Sequence, residues 1–110
     1  MKTVLVVGRE WKFRALLRAQ LREEGYEALA LETLKDAEAE GAGAAALIFD
    51  TTDTNVEDFA PTLRRLAEYL PVVVVAAAEE RLDIARITLL RRPISLADII
   101  SVVRELTAAP

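Results

Sequence analysis

Pro71-Val72-Val73-Val74-Val75-Ala76 is the stretch on which the fold turns. Four β-branched residues in succession lose side-chain freedom in a helix and pack well on a pleated surface, so residues 72–75 read as a strand. The run lacks polar alternation, the mark of a strand covered on both faces within a parallel sheet. Pro71 and Glu79 bound it too tightly for a buried helix. Its place should be at or beside the centre of the sheet. Working outward, Val4–Val7 and Ala44–Phe49 are similar apolar runs, the second ending abruptly at Asp50, while Tyr26–Leu31 and Ile87–Leu90 read as shorter strands.

Helical periods fill the intervals. From Trp11 to Glu24, Phe13, Leu16, Leu17 and Leu21 recur at helical spacing, and Gly25 stands where a left-handed C-terminal cap belongs. Leu34 to about Glu40 reads as a weak, alanine-rich helix ended by Gly41-Ala42-Gly43. After the polar stretch Thr51–Asn55 comes a helix reaching Tyr69, with Leu63, Leu66, Ala67 and Leu70 as its apolar face. Pro61 belongs in its first turn, since an interior proline costs about 3 kcal/mol. Glu79–Ala85 reads as a short helix, and Ser95-Leu96-Ala97-Asp98 as a variant capping box opening a last helix on Ile99, Ile100, Val103 and Leu106. Five strands alternating with five helical segments predict an α/β chain of (βα)5 order, its parallel sheet covered by helices on both faces. With 110 residues and 53% hydrophobic content, one domain over residues 1–110 is expected. Thr107-Ala108-Ala109-Pro110 reads as a frayed end or the start of a linker.

Composition removes several function classes. Lys and Arg total 14 against 18 Asp and Glu, a net charge of −4, opposite in sign to the footprint of a nucleic-acid binder. There is no cysteine and no histidine. Thiolate and imidazole metal sites, cysteine nucleophiles and Ser-His-Asp triads are thereby excluded. The apolar run after Lys2 is too short for a signal-peptide core, and nothing approaches the ~18 apolar residues of a membrane span, so a cytoplasmic location is expected. A phosphate loop would want several glycines or hydroxyls after the first strand. Gly8-Arg9-Glu10-Trp11 offers one glycine and no hydroxyl, which speaks against a nucleotide-binding enzyme.

In open α/β sheets chemistry gathers at the carboxyl ends of the strands. The residues there are Gly8-Arg9-Glu10 after strand one, Asp50 after strand three, Ala76-Ala77 after strand four and Arg92-Pro93 after strand five. With Gly25-Tyr26 after the first helix and Arg92-Pro93-Ile94-Ser95-Leu96 before the last, the whole chain resembles the receiver domain of response regulators, the CheY-like family of two-component signalling. The resemblance implies a flavodoxin-like three-layer fold with a five-stranded parallel sheet of order 2-1-3-4-5. It also implies a phosphoryl-accepting aspartate at Asp50, a Mg²⁺-binding acidic pair after strand one, a hydroxyl residue after strand four, and a lysine before a cis-proline after strand five. Here the acidic pair aligns with Gly8 and Arg9, the hydroxyl with Ala76, and the lysine with Arg92, ahead of Pro93. The Met-Pro usual after the acceptor is replaced by Asp53-Thr54.

Phosphoryl transfer to a carboxylate needs a divalent ion to neutralise developing charge, and Mg²⁺ wants several oxygen ligands. Asp50 alone is a poor cage. Two like unit charges 4 Å apart repel by about 4 kcal/mol at an effective dielectric of 20, so Arg9 in place of a ligand should resist a dication. Neither metal nor cofactor is expected. An ion pair of Asp50 with Arg9, Arg92 or both is the expected substitute; the competing reading leaves Asp50 solvated and the arginines in water. Glu10 offers a weaker substitute ligand, because it lies one place beyond the pair. The chain is thus expected to be a pseudo-receiver, a non-enzymatic protein-interaction module that works without phosphorylation, with a homodimer among its partners. The alternative is a phospho-accepting receiver that uses Asp50 with a non-standard metal site.

Only nine residues, Ala77–Ala85, separate Ala76 from Arg86, fewer than the roughly 10–12 that a helical crossover needs. Helix four of the resemblance should therefore be cut to a turn or two, uncovering apolar surface beside Val73, Val75 and Leu89 for a partner. Trp11, at the start of the first helix, either packs over the strand ends or stands out as an interface anchor.

Overall fold

The computed structural model describes residues 1–108; Ala109 and Pro110 of the expected frayed end lie outside the described residues. Five strands, β1 (Thr3–Val7), β2 (Glu27–Leu31), β3 (Ala46–Asp50), β4 (Val72–Ala76) and β5 (Ile87–Arg91), form one parallel sheet in the order β2-β1-β3-β4-β5. Among the described residues four helices, α1 (Trp11–Glu23), α2 (Leu34–Glu40), α3 (Ala60–Ala67) and α4 (Leu96–Thr107), cover its two faces. Alternate residues of each strand feed opposite cores. Val4, Val6, Ile48, Val73 and Val75 pack with Leu17, Leu21, Ile99 and Val103 of α1 and α4. Leu5, Val7, Leu47, Val72 and Val74 pack with Leu34, Leu63 and Leu66 of α2 and α3. Two-sided burial explains the unbroken apolar runs. β4, next to the central β3, is buried throughout.

The helix ends follow the expected signals, with one addition. Gly25 has φ +95°, and its N–H and that of Tyr26 donate to the carbonyls of Arg22 and Leu21, closing a Schellman cap on α1. Gly25→Ala should therefore cost about 1 kcal/mol in a urea titration, because an L side chain is disfavoured at left-handed φ. At the other end Glu10 caps α1, accepting from Lys12 N–H at 3.1 Å and Phe13 N–H at 2.7 Å. The Phe13 N–H bond holds the Glu10 carboxyl below its usual range. Ser95 caps α4 by accepting from Asp98 N–H, and Pro61 sits in the first turn of α3, which a 3₁₀ turn over Val56–Phe59 precedes.

Two expected core positions fall outside the core. Leu16 is 59% exposed and Leu106 36%. The buried seam of α4 runs instead through Ile99, Ile100, Val103 and Thr107, whose hydroxyl bonds Tyr26 Oη at 2.8 Å and donates to the Val103 carbonyl.

The larger correction concerns the β4–β5 connection. Expected as a shortened helix over Glu79–Ala85, it holds no helix: residues 77–86 run as turns and extended chain. Glu80, Leu82 and Ile84 turn inward while Glu79, Arg81, Asp83 and Ala85 face water, a period of two rather than 3.6. Ile84 and Leu82 join the α2–α3 core, as does the half-buried Leu89. Val73 and Val75, expected to be uncovered, are wholly buried on the opposite face beneath α1 and α4.

Candidate functional site

β3 delivers Asp50 to the carboxyl edge of the sheet, and the loops after β1, β4 and β5 close around it. The residue is only 3% exposed. Arg92, just beyond β5, donates from Nη1 to Asp50 Oδ1 at 2.6 Å and to the Val75 carbonyl at 2.9 Å. Its Nη2 reaches Thr51 Oγ1 at 3.3 Å. Thr52 adds its hydroxyl at 3.1 Å and its backbone N–H at 3.4 Å to the same Oδ1. Every donor that reaches the carboxylate thus meets the one oxygen, Oδ1. Oδ2 is buried without a partner, and a Cβ placed on Gly8 would lie 3.6 Å from it. Burial pushes the Asp50 carboxyl above its ordinary 3.8, against the downward pull of the Thr52 hydroxyl and the Arg92 charge.

Of the two arginines expected beside Asp50, Arg92 reaches it. Arg9 is exposed and donates to the Asp53 carbonyl at 3.4 Å, so the positive charge on Asp50 is Arg92's. Asp53 itself takes φ 59°, a left-handed conformation that a short polar side chain tolerates. Glu10 is engaged as the α1 cap, its two oxygens accepting the Lys12 and Phe13 N–H groups. Ala76 ends β4 fully buried with only its methyl to offer, and the Arg92–Pro93 peptide bond is cis. The donor set fits a divalent ion poorly: Gly8 supplies no side-chain oxygen, Arg92 already holds Oδ1, and no group of three potential ligand side chains gathers among the described residues.

Three contributors were not foreseen from the sequence. Thr51, 2% exposed, and Thr52 directly follow the strand-ending acid. Glu80 comes from the β4–β5 connection: its Oε1 accepts the Thr51 hydroxyl at 2.6 Å and the Ala77 N–H at 2.7 Å, and lies 3.7 Å from Arg92 Nη2. The inward alternation of 80, 82 and 84 was the available signal. Trp11 does not pack over the strand ends; it is 63% exposed, with Lys12 Nζ 5.9 Å from its ring. It stands at the rim of a groove of about 630 Å³ lined also by Arg9, Arg14, Leu34, Phe49 and Phe59.

The five-stranded parallel sheet of order 2-1-3-4-5 with helices on both faces is the fold seen in solved response-regulator receiver domains. Three solved structures illustrate the likeness. The receiver domain of the hybrid histidine kinase CckA aligns at TM-score 0.74 and 22% identity, over 96% of this chain and 98% of that one. A response regulator receiver domain protein from Clostridium thermocellum aligns at TM-score 0.79 and 15% identity, over 97% and 94%. The beryllofluoride-activated NtrC4 receiver domain, a dimer in solution, aligns at TM-score 0.76 and 24% identity, over 97% of each chain. At these identities the likeness is one of fold. Neither the family models nor the curated protein sequences give a match.

Proposed function

We propose that this chain is a receiver-type signalling module that acts without phosphorylation or Mg²⁺, by binding a protein partner. One observation carries the reading: the carboxylate at the acceptor position is buried and already neutralised by the Arg92 guanidinium at 2.6 Å. Attack on a phosphodonor requires a free carboxylate oxygen and a counter-cation for the developing charge. Arg92 holds Oδ1, Oδ2 is buried away from an incoming phosphodonor, and the guanidinium repels the dication that would supply the second requirement. With no hydroxyl at Ala76 to meet a modified aspartate, a signal is carried by association rather than by chemistry, and no enzymatic activity is assigned. Exposed Trp11 beside the arginine-flanked groove is the best-placed anchor for a partner, and a second copy of the chain is among the candidates, as NtrC4 forms a receiver dimer. No helix among the described residues is long and apolar enough to cross a membrane.

The orphaned Asp50 Oδ2 supports a second reading, in which that oxygen accepts a phosphoryl group at a non-standard site. Incubation with acetyl phosphate and Mg²⁺ separates the two. The expected result is an unchanged intact mass and unchanged Trp11 fluorescence. A stoichiometric, alkali-labile adduct that disappears in Asp50→Asn would establish the second reading instead.

A further inference from the structure

The connection that replaces the crossover helix is a strap tied at three levels. Outside, Arg91 Nη1 donates to the carbonyls of Ala77 at 3.1 Å, Ala78 at 3.1 Å and Glu80 at 2.5 Å. Below, Leu82 and Ile84 enter the α2–α3 core. Between them the Glu80 carboxylate turns into the pocket, where one oxygen takes a backbone N–H, a buried hydroxyl and a neighbouring guanidinium. A main-chain N–H, a threonine hydroxyl and an arginine converging on one point form a cradle for an oxyanion. Nothing in the geometry requires that oxyanion to belong to the strap.

We infer that Thr51, Ala77 N–H and Arg92 form an oxyanion site occupied by the chain's own Glu80, which excludes free phosphate and similar small oxyanions while the strap is down. This deepens the proposed reading of the same pocket, since Arg92 serves both carboxylates. Removing the Glu80 side chain empties the cradle without freeing the strap, which Arg91, Leu82 and Ile84 still hold.

The test is a titration of the whole chain with inorganic phosphate, followed by the backbone amide resonances of Ala77 and Thr51, in the unaltered protein, Glu80→Ala and Glu80→Gln. Glu80→Ala should bind phosphate at least about tenfold more tightly than the unaltered chain, the worth of one charge-assisted partner withdrawn from competition. Its Ala77 amide should also exchange with solvent about tenfold faster in the absence of phosphate. Glu80→Gln, which keeps an acceptor oxygen, should stay close to the unaltered chain in amide exchange. Equal phosphate responses in the unaltered chain and Glu80→Ala, or unchanged Ala77 exchange in Glu80→Ala, would overturn the inference. Neither outcome bears on acetyl phosphate, so failure here and failure of the phosphorylation-independent reading are distinguishable.

Discussion

Arg92→Gln is expected to destabilise the fold by about 2–3 kcal/mol near neutral pH, because it leaves the Asp50 carboxylate buried with no counter-charge. The figure sits below the loss for a fully buried pair because the Arg92 side chain is 31% exposed. Its pH dependence has a definite sign. Burial already raises the Asp50 pKa above its unfolded 3.8, so the native state holds its proton longer than the unfolded chain does. Stability from this group is therefore fully present below the unfolded value and is lost as pH rises through the folded one. Removing the Arg92 charge lifts the folded pKa further and deepens that loss. Urea unfolding at about pH 4 and about pH 7 should show a markedly smaller deficit for the variant in acid, and Asp50→Asn in the Arg92→Gln background should recover most of it. A deficit of under about half a kcal/mol at neutral pH, or one independent of pH, would show that the pair carries no such weight.

Placing an acid at the first strand's end should be costlier still. A Cβ at Gly8 would sit 3.1 Å from Asp50 Cβ, and the added carboxylate would face the partnerless Oδ2. Gly8→Ala is expected to cost about 1 kcal/mol from the close approach alone. Gly8→Asp should cost roughly 3–4 kcal/mol, since two carboxylates about 4 Å apart repel on that scale at an effective dielectric of 20. Thermal or urea unfolding of the two variants separates the steric part from the electrostatic part. Equal losses for alanine and aspartate would remove charge repulsion from the account.

The sheet was legible because its cause is local and repeated: runs such as Val72–Val75 and Leu47–Phe49 carry no polar residue to assign to a solvent face. The Gly25 and Ser95 caps were legible for the same reason, each needing a backbone conformation or an acceptor that few residue types provide. Leu16 and Leu106 misled because helical spacing marks a stripe without saying how wide the covering surface is, and the contact between α1 and α4 uses only one side of each. At the pocket, the residues that end strands could be placed from order alone. Whether Arg9 or Arg92 reached Asp50 could not, because that depends on side-chain reach across the sheet edge. Thr51 and Thr52 carry no mark that sets them apart from a polar loop, and Glu80 fits a helical period as well as it fits the alternation by two of its neighbours.

That alternation decides what kind of motion the β4–β5 connection permits. A helix lying on a sheet can slide or rotate as a rigid rod, transmitting a displacement from one end to the other. An extended ribbon stitched down at Glu80, Leu82 and Ile84 has no such rod. It yields by unzipping one stitch at a time, so an event at the pocket, where Glu80 is tied to the Thr51 hydroxyl and the Ala77 N–H, would be felt at Glu80 well before it reached Leu89.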